Sequence, residues 1–202
     1  YLRYFFGGTA YNGGASVPQS LQSVHILESV TALGDYAMNG ITSLEEVVIP
    51  DTVTTIGIHV LTGCQALVTI RVPLYEPYVA GTPTYVRYYF GGTQYNYGSV
   101  PSSLRTIEIT NDLPAVPSYA FYQFLYITEV ILPESVTRIG YAAFQQHREL
   151  RTFSLPGNVT TIGSSAFNDC RKLPSIVFPE GLTTIGGSAF NDAYSLHDVH
   201  LP

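Results

Sequence analysis

Apolar residues recur along the chain in units of 23, most visibly as the leucine or isoleucine that opens each unit: Leu21, Leu44, Leu67, Leu104, Ile127, Leu150, Leu173 and Leu196. The interval is constant except between Leu67 and Leu104, where it is 37. Within a unit the apolar residues fall at positions 1, 4, 6, 10, 13, 17, 18 and 21, as in Leu150, Phe153, Leu155, Val159, Ile162, Ala166, Phe167 and Cys170. The alternation at 4 and 6 predicts a short strand, which ends at position 7 on Pro50, Pro73, Pro133, Pro156, Pro179 or Pro202, because proline has no N–H to donate to a ladder. A V-T-x-I-G string at 53 to 57, 136 to 140 and 159 to 163, with a variant at 182 to 186, predicts a second extended piece, its glycine being expected to permit a left-handed turn. An Ala-Phe pair follows in four units, as at Ala143-Phe144 and Ala166-Phe167, with room for one helical or 3₁₀ turn.

No such unit can bury its own apolar face, so neighbours must stack. The predicted fold is a right-handed solenoid of about eight coils over 21 to 202, mostly β with short helical or 3₁₀ turns (α/β by convention), its strands forming one parallel sheet at a spacing of about 4.8 Å. Position 18 then makes a phenylalanine ladder through the core. Position 21 makes another from Ile41, Cys64, Phe124, His147, Cys170 and Ala193. A thiol there is expected to act as a small buried apolar group, and Cys64 and Cys170 stand too many coils apart to form a disulfide.

The string L-x-x-V-x-(I/L)-P-x-x-V-T-x-I-G-x-x-A-F-x-x-C, matched nearly letter for letter by 150 to 170, resembles the BspA-like leucine-rich repeats of bacterial surface proteins. The resemblance implies a leucine-rich-repeat solenoid that serves as a binding scaffold in a secreted or cell-surface protein, with adhesion to host matrix proteins such as fibronectin among the family's roles. It carries over no catalytic residue.

The unit from 67 to 103 departs from the pattern by an insertion of 14 residues. It contains F-G-G-T-Q-Y-N at 90 to 96, and F-G-G-T-A-Y-N stands at 6 to 12, so residues 1 to 20 read as the tail of a truncated earlier long unit. The long unit holds seven of the sixteen tyrosines. Tyrosine among Gly, Ser and Asn is the composition of adaptable contact loops, since the ring supplies contact area at low entropic cost. The candidate binding residues are therefore Tyr75, Tyr78, Tyr88, Tyr89, Tyr95 and Tyr97, with Tyr4 and Tyr11 from the first copy. The expectation is an arm over 74 to 99 that projects from the coil path and turns back at Gly91-Gly92. The competing reading is that Tyr88, Tyr89 and Phe90 form a strand that packs on the solenoid as a brace.

Composition narrows the function further. With 46% hydrophobic residues the chain can bury a large core, while its 12% charged residues, net charge of −6 and single lysine, Lys172, leave no basic stripe for a nucleic acid. No apolar run approaches the roughly 20 residues of a membrane span. The chain starts at Tyr1 without a methionine and stops mid-repeat at Pro202, as a piece of a longer protein would. On the strand face, positions 3 and 5 are polar and mixed in sign, which predicts a solvated surface. His197 and His200 have an odd spacing that puts them on opposite pleats, so no shared metal is expected. Asn158-Val159-Thr160 fits a glycosylation acceptor, but Val159 is a core position and the match is set aside. No nucleophile elbow, phosphate loop or metal-spaced Cys/His set is present, so neither enzyme activity nor a cofactor is expected. The expected partners are a protein, such as host extracellular matrix, or a glycan, with end-to-end self-association through uncapped coils as a further mode. A structural spacer is the alternative function, and a carbohydrate-binding module acting through the tyrosine-rich arm is another.

Overall fold

The computed structural model describes residues 17–75, 85–92 and 100–200. On the first face of the coil lie β1 (Ser23–His25), β3 (Glu46–Val48), β5 (Thr69–Val72), β6 (Thr106–Ile109), β8 (Glu129–Ile131), β10 (Thr152–Phe153), β12 (Ser175–Val177) and β14 (Asp198–His200). Each starts two residues after the leucine or isoleucine that opens its unit, and every pairing between them is parallel. The second extended piece also pairs, through β2 (Ala32–Leu33), β4 (Thr55–Ile56), β7 (Ala115–Val116), β9 (Arg138–Ile139), β11 (Thr161–Ile162) and β13 (Thr184–Ile185). The expected sheet is thus accompanied by a second parallel ladder.

The first-face ladder is interrupted once, for a local reason. It divides into β1-β3-β5-β6-β8-β10 and β12-β14. In other coils the N–H of position 2 donates to the preceding coil, as from Arg151 to Thr128 O (3.0 Å), but the next coil has Pro174 there and has no such donor. On the second face β2 pairs with β4 and β7, β9, β11 and β13 follow one another, while the corresponding stretch of the long unit lies outside the described residues. The first face crosses that unit intact, with Thr69 opposite Thr106 and Val72 opposite Ile109. The 14 extra residues thus leave the pairing of the main sheet unbroken.

The third side holds the Ala-Phe pairs, and it is a set of turns and not a helix. Positions 16 and 20 are left-handed in coil after coil: Tyr119 and Gln123, Ala142 and Gln146, Ser165 and Asp169, Ser188 and Asp192 all have positive φ. Only glycine adopts that conformation without a steric cost, which is roughly 1–2 kcal/mol for other residues. Hydrogen bonds between coils offset it. In the coil from 127, Ala142, Phe144 and Gln146 donate to Ser164 O, Ala166 O and Asn168 O of the next coil at 3.0, 2.8 and 2.8 Å. The glycine of V-T-x-I-G is not the left-handed residue that its place suggested. A Cβ at Gly140, Gly163 or Gly186 would lie within 2.7 Å of the preceding coil's backbone, so glycine is needed there for the close approach of neighbouring turns.

Inside, Phe121, Phe144, Phe167 and Phe190 stack with centroids 4.9, 5.1 and 5.1 Å apart and ring planes within 10°. Phe153 meets both Phe144 and Phe167 edge-on at 5.0 Å. Position 21 does more than fill space. The Cys64 and Cys170 thiols donate to Met38 O and Phe144 O at 3.2 Å, and His147 Nε2 donates to Phe121 O at 2.6 Å. In each case the acceptor is the position 18 carbonyl of the preceding coil. Cys64 and Cys170 are both buried, and burial pushes the Cys170 thiol up to about 12.

Candidate functional site

The long unit is fastened to its neighbours by side chains instead of by the repeat. Asn111 grips Leu74 at both ends of the amide: its Oδ1 accepts from Leu74 N–H at 2.8 Å and its Nδ2 donates to Leu74 O at 2.7 Å. Among the units from 44 onward, this coil alone has no proline at position 7, having Thr110 there with Asn111 next, and that departure is the signal from which the clamp, missed in the sequence, could have been found. The Tyr75 hydroxyl donates to Asp51 O and Val53 O, both at 3.1 Å. The Tyr89 hydroxyl donates to Pro73 O at 2.7 Å from a fully buried ring. Burial raises the pKa of both phenols, aided by the Asp51 charge for Tyr75 and by neighbouring Tyr75 for Tyr89.

Residues Val86–Phe90 form a 3₁₀ helix capped by Gly91 in the left-handed region (φ 76°). The segment does pack on the solenoid as a brace, but as a 3₁₀ helix and not as a strand, and residues 85–92 do not form one side of a projecting hairpin. The helix is wedged between two coils: Val86 N–H donates forward to Ala120 O at 3.0 Å, and Tyr89 O accepts from Leu61 N–H at 2.7 Å. These bonds stand where regular coils pair positions 17 and 18, so the helix rejoins the coil path and absorbs part of the insertion. Gly91 abuts the His59 ring so closely that a Cβ would collide with it. Of the tyrosines proposed as contacts, Tyr89 is core, Tyr75 is half-buried with its hydroxyl engaged, and Tyr88 packs half-buried on the core. Tyr78, Tyr95, Tyr97, Tyr4 and Tyr11 lie outside the described residues.

Beside the wedge a pocket of about 320 Å³ opens between the long unit and the coil from 104. Phe124, Leu104 and Ile127 form its apolar floor, and Tyr122, Tyr126 and Pro101 stand at its walls. Arg87, 1% exposed, places its guanidinium 5.4 Å from the Tyr122 centroid and 6.0 Å from that of Phe124. Arg148 also lines the pocket, with 42% of its side chain exposed, and its Nε donates to Asp169 at 2.9 Å. Gln123 turns a buried Oε1 that accepts no hydrogen bond among the described residues. None of these residues was singled out from the sequence as a contact residue. An arginine inside the aromatic string 85 to 90 was the available signal, because a cation among residues bound for a core must be serving a polar or aromatic partner.

Electrostatics around the pocket are uneven. Burial raises the Asp169 carboxyl, but hydrogen bonds from Arg171 and Arg148 outweigh it and hold the group below the usual carboxylate range. His147, on the other side of Phe124, is fully buried with no partner for Nδ1. Desolvation, together with the Arg87 charge, lowers it to about 4 against the opposing bond to Phe121 O. Among the described residues no group of three or more His, Cys, Asp or Glu is placed to hold a metal, and no helix is long and apolar enough to cross a membrane. The main sheet's outer strip carries cross-strand pairs such as Arg71 with Glu108 at 2.8 Å, beside exposed Ile131 and Val177.

A family model, the BspA type Leucine rich repeat region, matches residues 16–77 and 94–202 in six copies. Among solved structures, a leucine-rich repeat protein from Bacteroides ovatus is 27% identical, with a TM-score of 0.62 over 91% of this chain and 47% of its own. A leucine rich cell surface protein from Faecalibacterium prausnitzii is 22% identical (TM-score 0.40, covering 89% of this chain and 59% of its own). The pneumococcal vaccine antigen PcpA is 17% identical (TM-score 0.46, covering 88% and 61%). The chain thus spans about half the length of the Bacteroides ovatus protein. No curated protein matches it.

Proposed function

The chain belongs to the BspA-type leucine-rich-repeat family, and from that membership we propose that it is a non-enzymatic protein-interaction module of a secreted or cell-surface protein. The contact lies where the long unit meets the coil from 104. The observation that carries this reading is the pocket of about 320 Å³ with half-exposed Tyr126 on its rim. An apolar concavity with aromatic walls and a few convergent polar groups is the usual form of a site that anchors a partner's side chain. The hollow among the regular coils, about 590 Å³ and lined by Arg151, Lys172, Pro174, Tyr194, Ser195 and His197, is the more polar of the two; the phenylalanines of these coils are spent on the internal stack, and their outer strip is polar with scattered apolar residues. Adhesion to host matrix is the specific form proposed.

The test is binding of the full chain to an array of purified matrix proteins, fibronectin included, and glycans, in parallel with Tyr126→Ser and with a strand-face control, Val177→Ser. The reading expects binding to a protein that falls at least tenfold in Tyr126→Ser and is unchanged in Val177→Ser. Loss only in Val177→Ser moves the contact to the sheet, binding to glycans alone favours a carbohydrate module, and binding to nothing favours a spacer.

A further inference from the structure

We propose that a short acidic segment of a partner protein lies along one edge of the solenoid, an apolar side chain anchored in the hollow beside Tyr126 and its carboxylates on Arg151 and Lys172. The inference rests on the reading of that hollow as the contact site and adds the chemistry of the chain that leaves it. The edge is formed by the turns that close four successive coils, at Leu125-Tyr126, Arg148-Glu149, Arg171-Lys172 and Tyr194-Ser195. Side chains join one turn to the next: Lys172 Nζ reaches Glu149 at 2.7 Å, and the Arg171 guanidinium stands 6.0 Å from the Tyr194 ring centroid. The first turn walls the apolar hollow, which Arg148 also lines. The last borders the second hollow, together with Arg151 and Lys172.

Charge along this edge runs against the trend of the chain. Residues 148 to 172 hold four of its nine lysines and arginines and two of its fifteen acids, in a chain of net charge −6. Each of those acids serves two cations: Asp169 takes Arg148 and Arg171, and Glu149 takes Arg151 and Lys172. The cations also stand further out, their side chains between 42% and 59% exposed against 33% for Glu149 and 9% for Asp169. A ligand approaching the edge therefore meets guanidinium and ammonium groups that have donors left after each carboxylate is served. Asp192, beside the last turn, accepts from the Tyr194 hydroxyl at 2.7 Å and marks where the positive stretch ends. With turns about 4.8 Å apart, Lys172 lies about 10 Å along the edge from Tyr126, which an extended peptide covers in about three residues. So short a segment is extended, because an isolated helix needs about 12 residues or more to hold in water. A simple anion would leave the hollow unused and a purely apolar chain would leave the cations unused, whereas an apolar residue with acids about three positions away engages both.

The probes are acetyl-Phe-Gly-Ser-Glu-Glu-amide, its analogue with Gln for both Glu, its analogue with Ser for Phe, each in both sequence directions, and a sulfated heparin tetrasaccharide. They are titrated into the full chain and followed by amide chemical shifts. In at least one direction the acidic peptide should bind at least tenfold more tightly than either analogue, with shifts at both Tyr126 and Lys172, and added salt should weaken it without affecting the Gln analogue. Arg151→Gln with Lys172→Gln should bring it to the level of the Gln analogue while the melting temperature stays near that of the parent. Glu149→Gln should tighten the acidic peptide severalfold, because it releases two cations, whereas a network that serves stability alone would leave binding unchanged. Equal binding of the acidic and Gln peptides, undiminished binding by Tyr126→Ser, binding of the tetrasaccharide in place of the peptides, or no binding by any probe would overturn the proposal. A matrix protein that depends on Tyr126 but binds the Arg151→Gln, Lys172→Gln variant as it binds the parent would leave the interaction reading standing without this inference.

Discussion

The coils from 127 to 195 and the long unit from 67 to 103 solve one problem, closing a turn against its neighbours, by different means. In the regular coils the main fastenings are copied at 23-residue intervals. Phenylalanine stacks on phenylalanine, backbone bonds join positions 16, 18 and 20 to the next coil, and at His147 and Cys170 an imidazole or thiol at 21 satisfies the carbonyl of 18. Among the described residues of the long unit the fastenings are individual: an asparagine on Leu74, the Tyr75 hydroxyl on Asp51 O and Val53 O, a buried tyrosine on Pro73 O, and a 3₁₀ helix bonded to both neighbouring coils. Repetition gives stability without individuality. The long unit departs from the repeat and leaves a pocket beside it, which is where the surface becomes specific.

The largest test of that contrast is in the regular region. Phe144→Ala removes a ring that stacks on Phe121 and Phe167 and meets Phe153 edge-on, and it should cost about 3–5 kcal/mol in denaturant unfolding. A loss below about 1 kcal/mol would show that the stack is not the core of these coils.

Next in size is a pH effect from His147. Its folded value of about 4 lies below its ordinary 6.5, so between these values the unfolded chain binds the proton that the folded chain refuses. The contribution to stability is complete above pH 6.5 and is lost as pH falls toward 4, by roughly 3 kcal/mol in all. His147→Cys keeps a donor of the kind used at Cys64 and Cys170, and the difference in pH dependence between parent and variant should equal this loss. Identical profiles would place the titration elsewhere.

Such side-chain donors show where sequence reading reaches and where it stops. The coil period, the strand starts and the phenylalanine ladder were legible because each is a repeated apolar position, and repetition identifies a common environment. The role of Cys64, Cys170 and His147 as donors was not, because burial alone explains a cysteine and the orphaned carbonyl it serves exists only after coils stack. The glycine of V-T-x-I-G was misread for a like reason: the approach of the preceding turn, not its own φ, forbids a side chain. In the long unit no repeat was available to average over. Tyrosine content suggested contact, whereas Tyr75 and Tyr89 use their hydroxyls to hold the unit in place, and the pocket draws on Arg87, Tyr122, Gln123 and Arg148 from three successive coils.

A smaller effect sharpens the view of the long unit as braced by individual bonds. Tyr89→Phe keeps the buried ring and removes only the donor to Pro73 O, so thermal unfolding should show a loss of about 1–2 kcal/mol. No change in melting temperature would mean that the hydroxyl is incidental to the brace.

The central claim is that the long unit opens separately from the repeat because its fastenings are its own. Amide hydrogen exchange in the parent and in Asn111→Ala tests it most directly. The Leu61 and Val86 amides, which bond to Tyr89 O and Ala120 O, should exchange at least tenfold faster in the variant, while the Phe144 and Phe167 amides, which bond between regular coils, keep the protection they have in the parent. Acceleration of all four together would show that the long unit and the regular coils unfold as one body, and unchanged exchange at Leu61 and Val86 would show that the Asn111 clamp does not hold the wedge.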